Sequence, residues 1–398
     1  MINTKKIKIK PKFYQKLKIG YLWAFSEDIK SIDPTIQDGD IVSLYLDNQF
    51  AAKAYFNSKS KIKLRILSFE DTNIDYNFFK NKLIELYNQK RLFFSNNNFR
   101  LVYSEGDFLP GLIIDLFQDL EHNKLIAVCM FLTKGINTLK NEIIKVLINE
   151  LNVNVIIERG DSNLRKLEGL DLTRGFIYSK IDLPFKVLID EIIFLIDPLN
   201  GQKTGFYYDQ YLNRRFLKNI SKDKTVLDCF SYTGAFGMYA LKYKAKFVEF
   251  VDESEFAKNI IQLQSKLNNF ENKFIFHKDN AFSKLREFTN LNKEFDIVII
   301  DPPSFTKTKD KIDNAIKAYK DVNLHGLKLV KNGGYLLTSS CSQKIKENNF
   351  YEIFLQLFEK LNIKGKLIYK GQQSFDHPIN FAMEETKYLK FFAFQIFK

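Results

Sequence analysis

The chain is short of the residues from which metal centres, disulfide frameworks and membrane spans are built. Its 398 residues include three cysteines, Cys129, Cys229 and Cys341. They lie far apart and none forms Cys-x-x-Cys, which argues against a zinc site or a disulfide framework, so no metal is expected. An isolated cysteine is usually a small buried hydrophobe, so any chemistry must be argued from its surroundings. Long apolar runs are missing too. The longest, Leu125 to Leu132, is far below the roughly 20 residues a membrane helix needs. The opening stretch alternates Lys5, Lys6, Lys8 and Lys10 with apolar residues and has no h-region of a secretory signal. A cytoplasmic protein with no membrane partner is expected. No internal repeat of fixed period and no long low-complexity linker is present.

Positive charge is abundant. The net charge is +13, the electrostatic footprint of a nucleic-acid binder, because neutralising phosphates releases counterions. A composition loaded with Lys, Asn, Ile and Phe raises lysine everywhere, so charge alone is an even bet. Its distribution adds weight. Lys5, Lys6, Lys8, Lys10, Lys12, Lys16 and Lys18 crowd the start, and Lys59, Lys61, Lys63 and Arg65 form a second cluster.

The length suggests two or three domains. Residues 1–75 read as short strands around the Asp38-Gly39-Asp40 turn, with Ile41–Leu46 and Phe50–Phe56 as apolar-rich runs. Residues 76–94 carry Phe79, Leu83, Leu86 and Tyr87 at helical spacing. Residues 76–190 read as a mixed α/β segment: strands at 99–103, 111–117, 124–132 and 153–158, and one helix over 136–151. From 191 to 398 strands and helices alternate, which argues for a parallel sheet covered on both faces. Strands are expected at 225–227, 247–251, 273–276, 295–300 and 334–339. Helices are expected at 234–243, 253–268, 281–288, 309–330 and 346–361.

In such sheets ligands bind beyond the carboxyl ends of the strands. The first strand runs into Asp228-Cys229-Phe230-Ser231-Tyr232-Thr233-Gly234, an acid, a tight turn and a glycine opening a helix. The turn has no Gly-x-Gly-x-x-Gly, since Phe230 and Tyr232 stand where generic loops carry glycine. That lack argues against a nucleotide-binding dehydrogenase. By itself the loop is more often an ordinary strand-to-helix turn. The second strand ends at Asp252-Glu253, 24 residues beyond Asp228, near the spacing of an acid that binds ribose hydroxyls. A helix-start acid favoured by the dipole is an equal alternative. Asp279-Asn280 follow the third strand, where an acid could accept from an adenine amino group. The fourth ends in Asp301-Pro302-Pro303-Ser304-Phe305. Two prolines fix the backbone there and remove two donors, which holds Asp301 rigidly beside a planar base. The fifth ends in Ser340-Cys341-Ser342, and a cysteine at a polar strand end is an odd place for core packing. A thiolate has a use at such a site, because pyrimidine carbon 5 is a poor nucleophile until something adds to carbon 6. Together these strand ends point to a methyltransferase.

Taken with Gly201-Gln202-Lys203-Thr204-Gly205-Phe206-Tyr207-Tyr208-Asp209-Gln210, Asn213-Arg214 and Asp376-His377-Pro378-Ile379, the residues resemble a known family over nearly the whole chain. They are similar to bacterial 23S ribosomal RNA cytosine-C5 methyltransferases with an N-terminal PUA domain, the large subunit methyltransferase I type. The Phe-x-Tyr-Thr-Gly loop is typical of that family. The resemblance implies an α/β fold. A PUA-like β-barrel (1–75) would bind RNA, a mixed α/β domain (76–190) would follow, and a Rossmann-like class I methyltransferase domain with a mostly parallel seven-stranded sheet (191–398) would close the chain. It implies S-adenosyl-L-methionine as cofactor, held by Asp228, Phe230, Ser231, Tyr232, Thr233, Gly234, Asp252, Glu253, Asp279, Asn280 and Asp301. It implies 23S ribosomal RNA as partner, and a homodimer is compatible with the sequence. Cys341 and Asp301 would be catalytic: Cys341 adds to carbon 6 of a flipped-out cytosine while Asp301 and the Pro302-Pro303 turn hold the base edge. Gln202, Lys203, Phe206, Tyr207, Pro302, Pro303, Phe305 and His377 would line the substrate site. Other RNA cytosine methyltransferases carry a second cysteine where Ser304 stands, which leaves the proton-removing base open. His377 is a candidate, although a turn histidine before Pro378 is about twice as expected. Two alternatives stay open: a ribosomal RNA guanine-N methyltransferase of related fold, which needs no cysteine, and a non-catalytic assembly factor that binds ribosomal RNA.

Overall fold

The computed structural model describes residues 5–306 and 311–398. The chain divides into two compact units, Met1–Leu188 with Ile196–Tyr208 and Phe375–Lys387, and Ile189–Leu195 with Asp209–Ser374 and Tyr388–Lys398.

The first unit holds two sheets. A six-stranded sheet runs in the order Trp23–Ala24, Leu64–Ser68, Gln49–Phe56, Ile41–Leu46, Lys6–Ile9, Ile29–Ile32. It is antiparallel except where Lys6–Ile9 lies parallel to Ile41–Leu46. Its alternating inward residues, among them Ile7, Ile9, Val42, Leu44, Ala52 and Ala54, form one apolar core. A short helix, Pro11–Lys18, packs Phe13 and Leu17 into it. No helix is expected there from the pattern, but Pro11 at its first turn and the four-residue spacing of Phe13 and Leu17 are the signal. A five-stranded sheet follows in the order Thr173–Tyr178, Val155–Gly160, Leu125–Phe131, Leu112–Gln118, Phe99–Tyr103. The helix expected at 76–94 is Tyr76–Arg91, capped by Asp75 and burying Phe79, Leu83 and Leu86. The single helix expected over 136–151 is two, Lys134–Thr138 and Lys140–Asn149.

Arg65 departs from its expected role in a basic surface cluster. It is buried, and its guanidinium donates to Glu168 at 2.8 Å. Lys59 and Lys61 remain exposed.

The second unit is built on a seven-stranded sheet. Its elements are β1 (Thr225–Cys229), α1 (Ala235–Lys242), β2 (Phe247–Asp252), α2 (Glu255–Leu267), β3 (Phe274–Lys278), α3 (Ala281–Asn290), β4 (Phe295–Ile300), α4 (Ile312–Leu329), β5 (Val330–Ser340), α5 (Glu347–Leu361), β6 (Lys364–Gly371) and β7 (Lys390–Phe397). The strand order is β3-β2-β1-β4-β5-β7-β6, with β7 antiparallel to both neighbours and the rest parallel. Parallel strands are covered on both faces, which is why Ile297 to Ile300 is an unbroken buried run. The helices bury one stripe each, such as Ala281, Leu285 and Phe288 on α3 and Phe350, Ile353, Phe354 and Leu357 on α5. Lys309 and Asp310, expected at the start of α4, lie outside the described residues. Strand β6 is not legible in the hydrophobic pattern, since most of its residues are exposed. No helix of the described residues is long and apolar enough to cross a membrane.

Candidate active site

The strand ends of the second unit bring most of the expected residues together. The turn after β1 bends sharply. Phe230, Tyr232 and Gly234 all adopt positive φ, at 59°, 47° and 76°. Left-handed backbone costs a non-glycine residue roughly 1–2 kcal/mol, so the two aromatics are held there by their surroundings. Tyr232 N–H donates to the Asp252 carboxylate at 2.8 Å, Ser231 N–H to Val251 O at 3.2 Å, and Gln264 Nε2 to Thr233 O at 2.8 Å. A Cβ on Gly234 would lie 2.9 Å from Ile261, and one on Gly237 2.1 Å from the Phe250 ring. Helix α1 therefore packs directly on β2.

Asp228 lies beneath this turn. It is buried and accepts from Gly237 N–H at 2.9 Å. Burial pushes its carboxyl up to about 8, against the Gly237 bond, and the nearby Asp301 and Asp252 add to the rise. It ties β1 to α1. Asp252 takes both the Tyr232 N–H and, at 3.0 Å, the Ser254 N–H. Ser254, not Asp252, caps α2. Asn280 caps α3 through its side-chain oxygen, and its amide nitrogen donates to Glu253. Asp279 pairs with Lys284 at 3.1 Å. Of the cofactor set, Asn280 thus has its oxygen committed to the helix start, and Asp228 has one oxygen committed to Gly237.

Three aromatic rings close this corner. Phe230, Phe282 and Phe305 meet pairwise with centroids 5.8, 5.6 and 6.5 Å apart. Phe282 is not among the expected site residues. Its signal is its place just inside α3, one turn-length from Asp279.

On the other side of the sheet centre stand Asp301 and Cys341. Cys229 and Cys129 are buried, whereas Cys341 is partly exposed. Burial pushes the Cys229 thiol well above its ordinary value. The sulfur of Cys341 lies 3.8 Å from the carbonyl oxygen of Pro302, so the nucleophile candidate and the Asp-Pro-Pro turn share one corner. Pro302 is buried and Pro303 exposed. Ser304 donates to Thr306 O at 2.8 Å and meets the Ser342 hydroxyl at 3.0 Å, which in turn meets Tyr319 at 2.9 Å. The ammonium of buried Lys390 donates to the carbonyls of Ser342 at 2.6 Å and Tyr388 at 2.8 Å. Asp301 accepts from Gln210 Nε2 at 2.9 Å and from the Ser339 hydroxyl. Burial raises its carboxyl to about 6, and Asp209 contributes to the rise.

The remaining expected substrate residues belong to the first unit. Gln202 and Lys203 are exposed; Gln202 accepts from the Tyr207 hydroxyl at 2.7 Å, and the Lys203 ammonium sits 4.5 Å from the Tyr207 ring centre. Phe206 is 3% exposed and packs against Tyr208 with centroids 5.3 Å apart. His377 is 2% exposed, and its Nδ1 bonds Asp376 at 2.8 Å while Asp376 also accepts from Arg100 N–H. Among the described residues no group of three or more His, Cys, Asp or Glu could hold a metal ion.

A family model described as a PUA-like domain matches residues 7–69, and one described as conserved hypothetical protein 95 matches residues 213–351. The curated ribosomal RNA large subunit methyltransferase I of Aliivibrio fischeri (strain MJ11) is 34% identical over 382 residues, covering 94% of this chain and 95% of its own. The protein of that name from Vibrio cholerae serotype O1 is 33% identical over 391 residues, covering 96% and 97%. Among solved structures, one presented as a SAM-dependent methyltransferase from Streptococcus mutans aligns with a TM-score of 0.80 at 22% identity over 98% of this chain and all of its own. A methyltransferase complexed with SAH aligns with a TM-score of 0.82, again at 22% identity over 98% of this chain. At such identity these two structures speak for the fold.

Proposed function

Because the chain belongs to the ribosomal RNA large subunit methyltransferase I family, we propose that it methylates carbon 5 of a cytosine in 23S ribosomal RNA, with Cys341 as nucleophile. The observation that carries this reading is the partly exposed Cys341 sulfur beside the Pro302 carbonyl. A methyltransferase acting on an exocyclic nitrogen has no use for a thiol there. The reaction belongs in the cytoplasm, where ribosomal RNA is made.

S-adenosylmethionine supplies a methyl group made electrophilic by its sulfonium. The residues fit it. Each Asp252 oxygen keeps a lone pair after accepting one backbone N–H, enough for the two ribose hydroxyls. The Phe230, Phe282 and Phe305 rings suit a planar adenine.

The protein's own residues do the rest. A flipped-out base loses its stacking at a cost of a few kcal/mol, and the Pro302-Pro303 turn presents a rigid edge for it. The Cys341 thiolate adds to carbon 6, forming a carbon–sulfur bond and pushing the ring electrons toward N3. N3 takes up a proton from solvent as the electrons arrive, and Asp301, which faces that edge, stabilises the protonated N3. Carbon 5 thereby becomes the nucleophile. After methylation a base takes the carbon 5 proton, the electrons of that bond expel Cys341, and the N3 proton is released.

RNA carrying 5-azacytidine tests this mechanism, since nitrogen at position 5 has no proton to lose and the adduct cannot collapse. The wild-type chain is expected to run as a covalent complex on denaturing gels and the Cys341→Ala variant is not. Equal trapping of both would assign the nucleophile elsewhere, and no trapping of either would favour a guanine-nitrogen target.

A further inference from the structure

Asp301 is held asymmetrically. Both of its donors, Gln210 Nε2 at 2.9 Å and the Ser339 hydroxyl, go to the same oxygen, Oδ1. Among the described residues no donor goes to Oδ2. An amide can present either end, so something must keep the nitrogen of Gln210 toward Asp301. That partner is Asn213, whose Nδ2 donates to Gln210 Oε1 at 2.6 Å. The Asn213 amide is fixed in turn, because its Nδ2 also donates to Gln372 O at 3.3 Å and its Oδ1 accepts from the Tyr369 hydroxyl at 3.2 Å. Gln210 and Asn213 are 3% and 0% exposed. Water therefore cannot satisfy a misturned amide, and the alternative orientation would leave buried groups unpaired.

We infer that Gln210, oriented by Asn213, is a positioning residue that anchors Asp301 by Oδ1 and leaves Oδ2 as the oxygen facing the reacting base. The inference rests on the proposed cytosine reading for what Oδ2 meets, but not for the relay itself. The physical consequence is twofold. The relay favours the charged carboxylate, opposing the effect of burial and of Asp209. It also prevents the carboxyl group from rotating when a base arrives, which keeps one acceptor at a fixed place. The other titratable or charged groups that act on this carboxyl, or on which it acts, are Asp209, Arg214, Asp228 and Tyr319.

Two variants test it in the full-length enzyme. Gln210→Leu removes the donor. Asn213→Leu keeps a similar shape without adding charge but removes the amide donor that orients Gln210. The readouts are the pH dependence of methyl transfer to ribosomal RNA and a 13C-aspartate NMR titration of Asp301 without RNA. Losing a hydrogen bond to the charged form moves the Asp301 midpoint upward, by roughly one pH unit. The acid limb of activity should move with it, leaving roughly a tenth of the wild-type rate on that limb. An unchanged Asp301 titration in both folded variants overturns the inference, even if activity falls, because that is what a merely structural role would give. If Asn213→Leu shifts the midpoint and Gln210→Leu does not fold, the inference stands on the former. If the titration shifts while 5-azacytidine RNA is not trapped by the wild type, the relay is upheld and the cytosine reading falls.

Discussion

Cys341 and Pro302 meet at the ends of two adjacent parallel strands, with the sulfur 3.8 Å from the carbonyl oxygen. Nothing in the spacing of the two residues along the chain requires this. The register of β4 against β5, Ile300 opposite Thr338, places the two strand ends side by side. The prolines then keep the first of them from moving. The proposed nucleophile and the proposed base-binding edge thereby come from two loops 39 residues apart in the chain.

The turn after β1 makes a stability prediction. Gly234 has positive φ and no room for a side chain. Gly234→Ala should therefore destabilise the chain by roughly 1–3 kcal/mol and weaken S-adenosylmethionine binding. Gly237→Ala should cost more, because its Cβ would overlap the Phe250 ring. Urea unfolding and calorimetric titration of the cofactor measure the two effects.

Charge on the first unit divides into two kinds. Arg65 is paired with Glu168 in the interior, and removing one partner of a buried pair costs about 3–5 kcal/mol. Arg65→Ala should show that loss in denaturant titrations. Lys59→Ala and Lys61→Ala, on exposed residues, should stay within about 0.5 kcal/mol of wild type. Each should instead flatten the salt dependence of RNA binding by about one unit of slope.

The acids under the strand ends make a pH prediction. Asp228 is raised to about 8 and Asp301 to about 6 by burial. In the unfolded chain both would lose their protons near pH 4. Between those values the native state holds more protons than the unfolded one, so stability is greatest below pH 4 for this contribution and falls as pH rises toward 8. Asp228→Asn keeps an acceptor for Gly237 N–H but cannot ionise. It should flatten the decline between pH 6 and 8, as read from denaturation midpoints across that range.

Much of this was legible because parallel strands and one-sided helices leave plain patterns. Phe295–Ile300 and Phe99–Tyr103 occupy the spans expected of them, since buried apolar runs bounded by polar turns admit few other readings. The odd loop residues Phe230 and Tyr232 marked glycine-like positions, and both do have positive φ. What was not legible is long-range. Strand β6 exposes residues on both faces, so Lys364–Gly371 has no alternation to read. The apolar spacing over 136–151 runs through Leu139, where the helix breaks, so periodicity alone joins the two pieces. The net charge overstated the basic surface, because Arg65, Lys90, Arg100, Arg159, Arg165 and Arg214 are buried. The Gln210–Asn213 relay sits within a recognisable motif, but its partner Asp301 is 91 residues away, and only the fold unites them.

The central claim is that Cys341 makes this chain a cytosine-C5 enzyme. Mass spectrometry of 23S ribosomal RNA nucleosides tests it most directly, comparing wild-type cells, a strain lacking the gene and a strain carrying Cys341→Ala. The account predicts that 5-methylcytosine present in the wild type is lost in both mutant strains. Equal 5-methylcytosine in all three, or its retention in the Cys341→Ala strain alone, would contradict it.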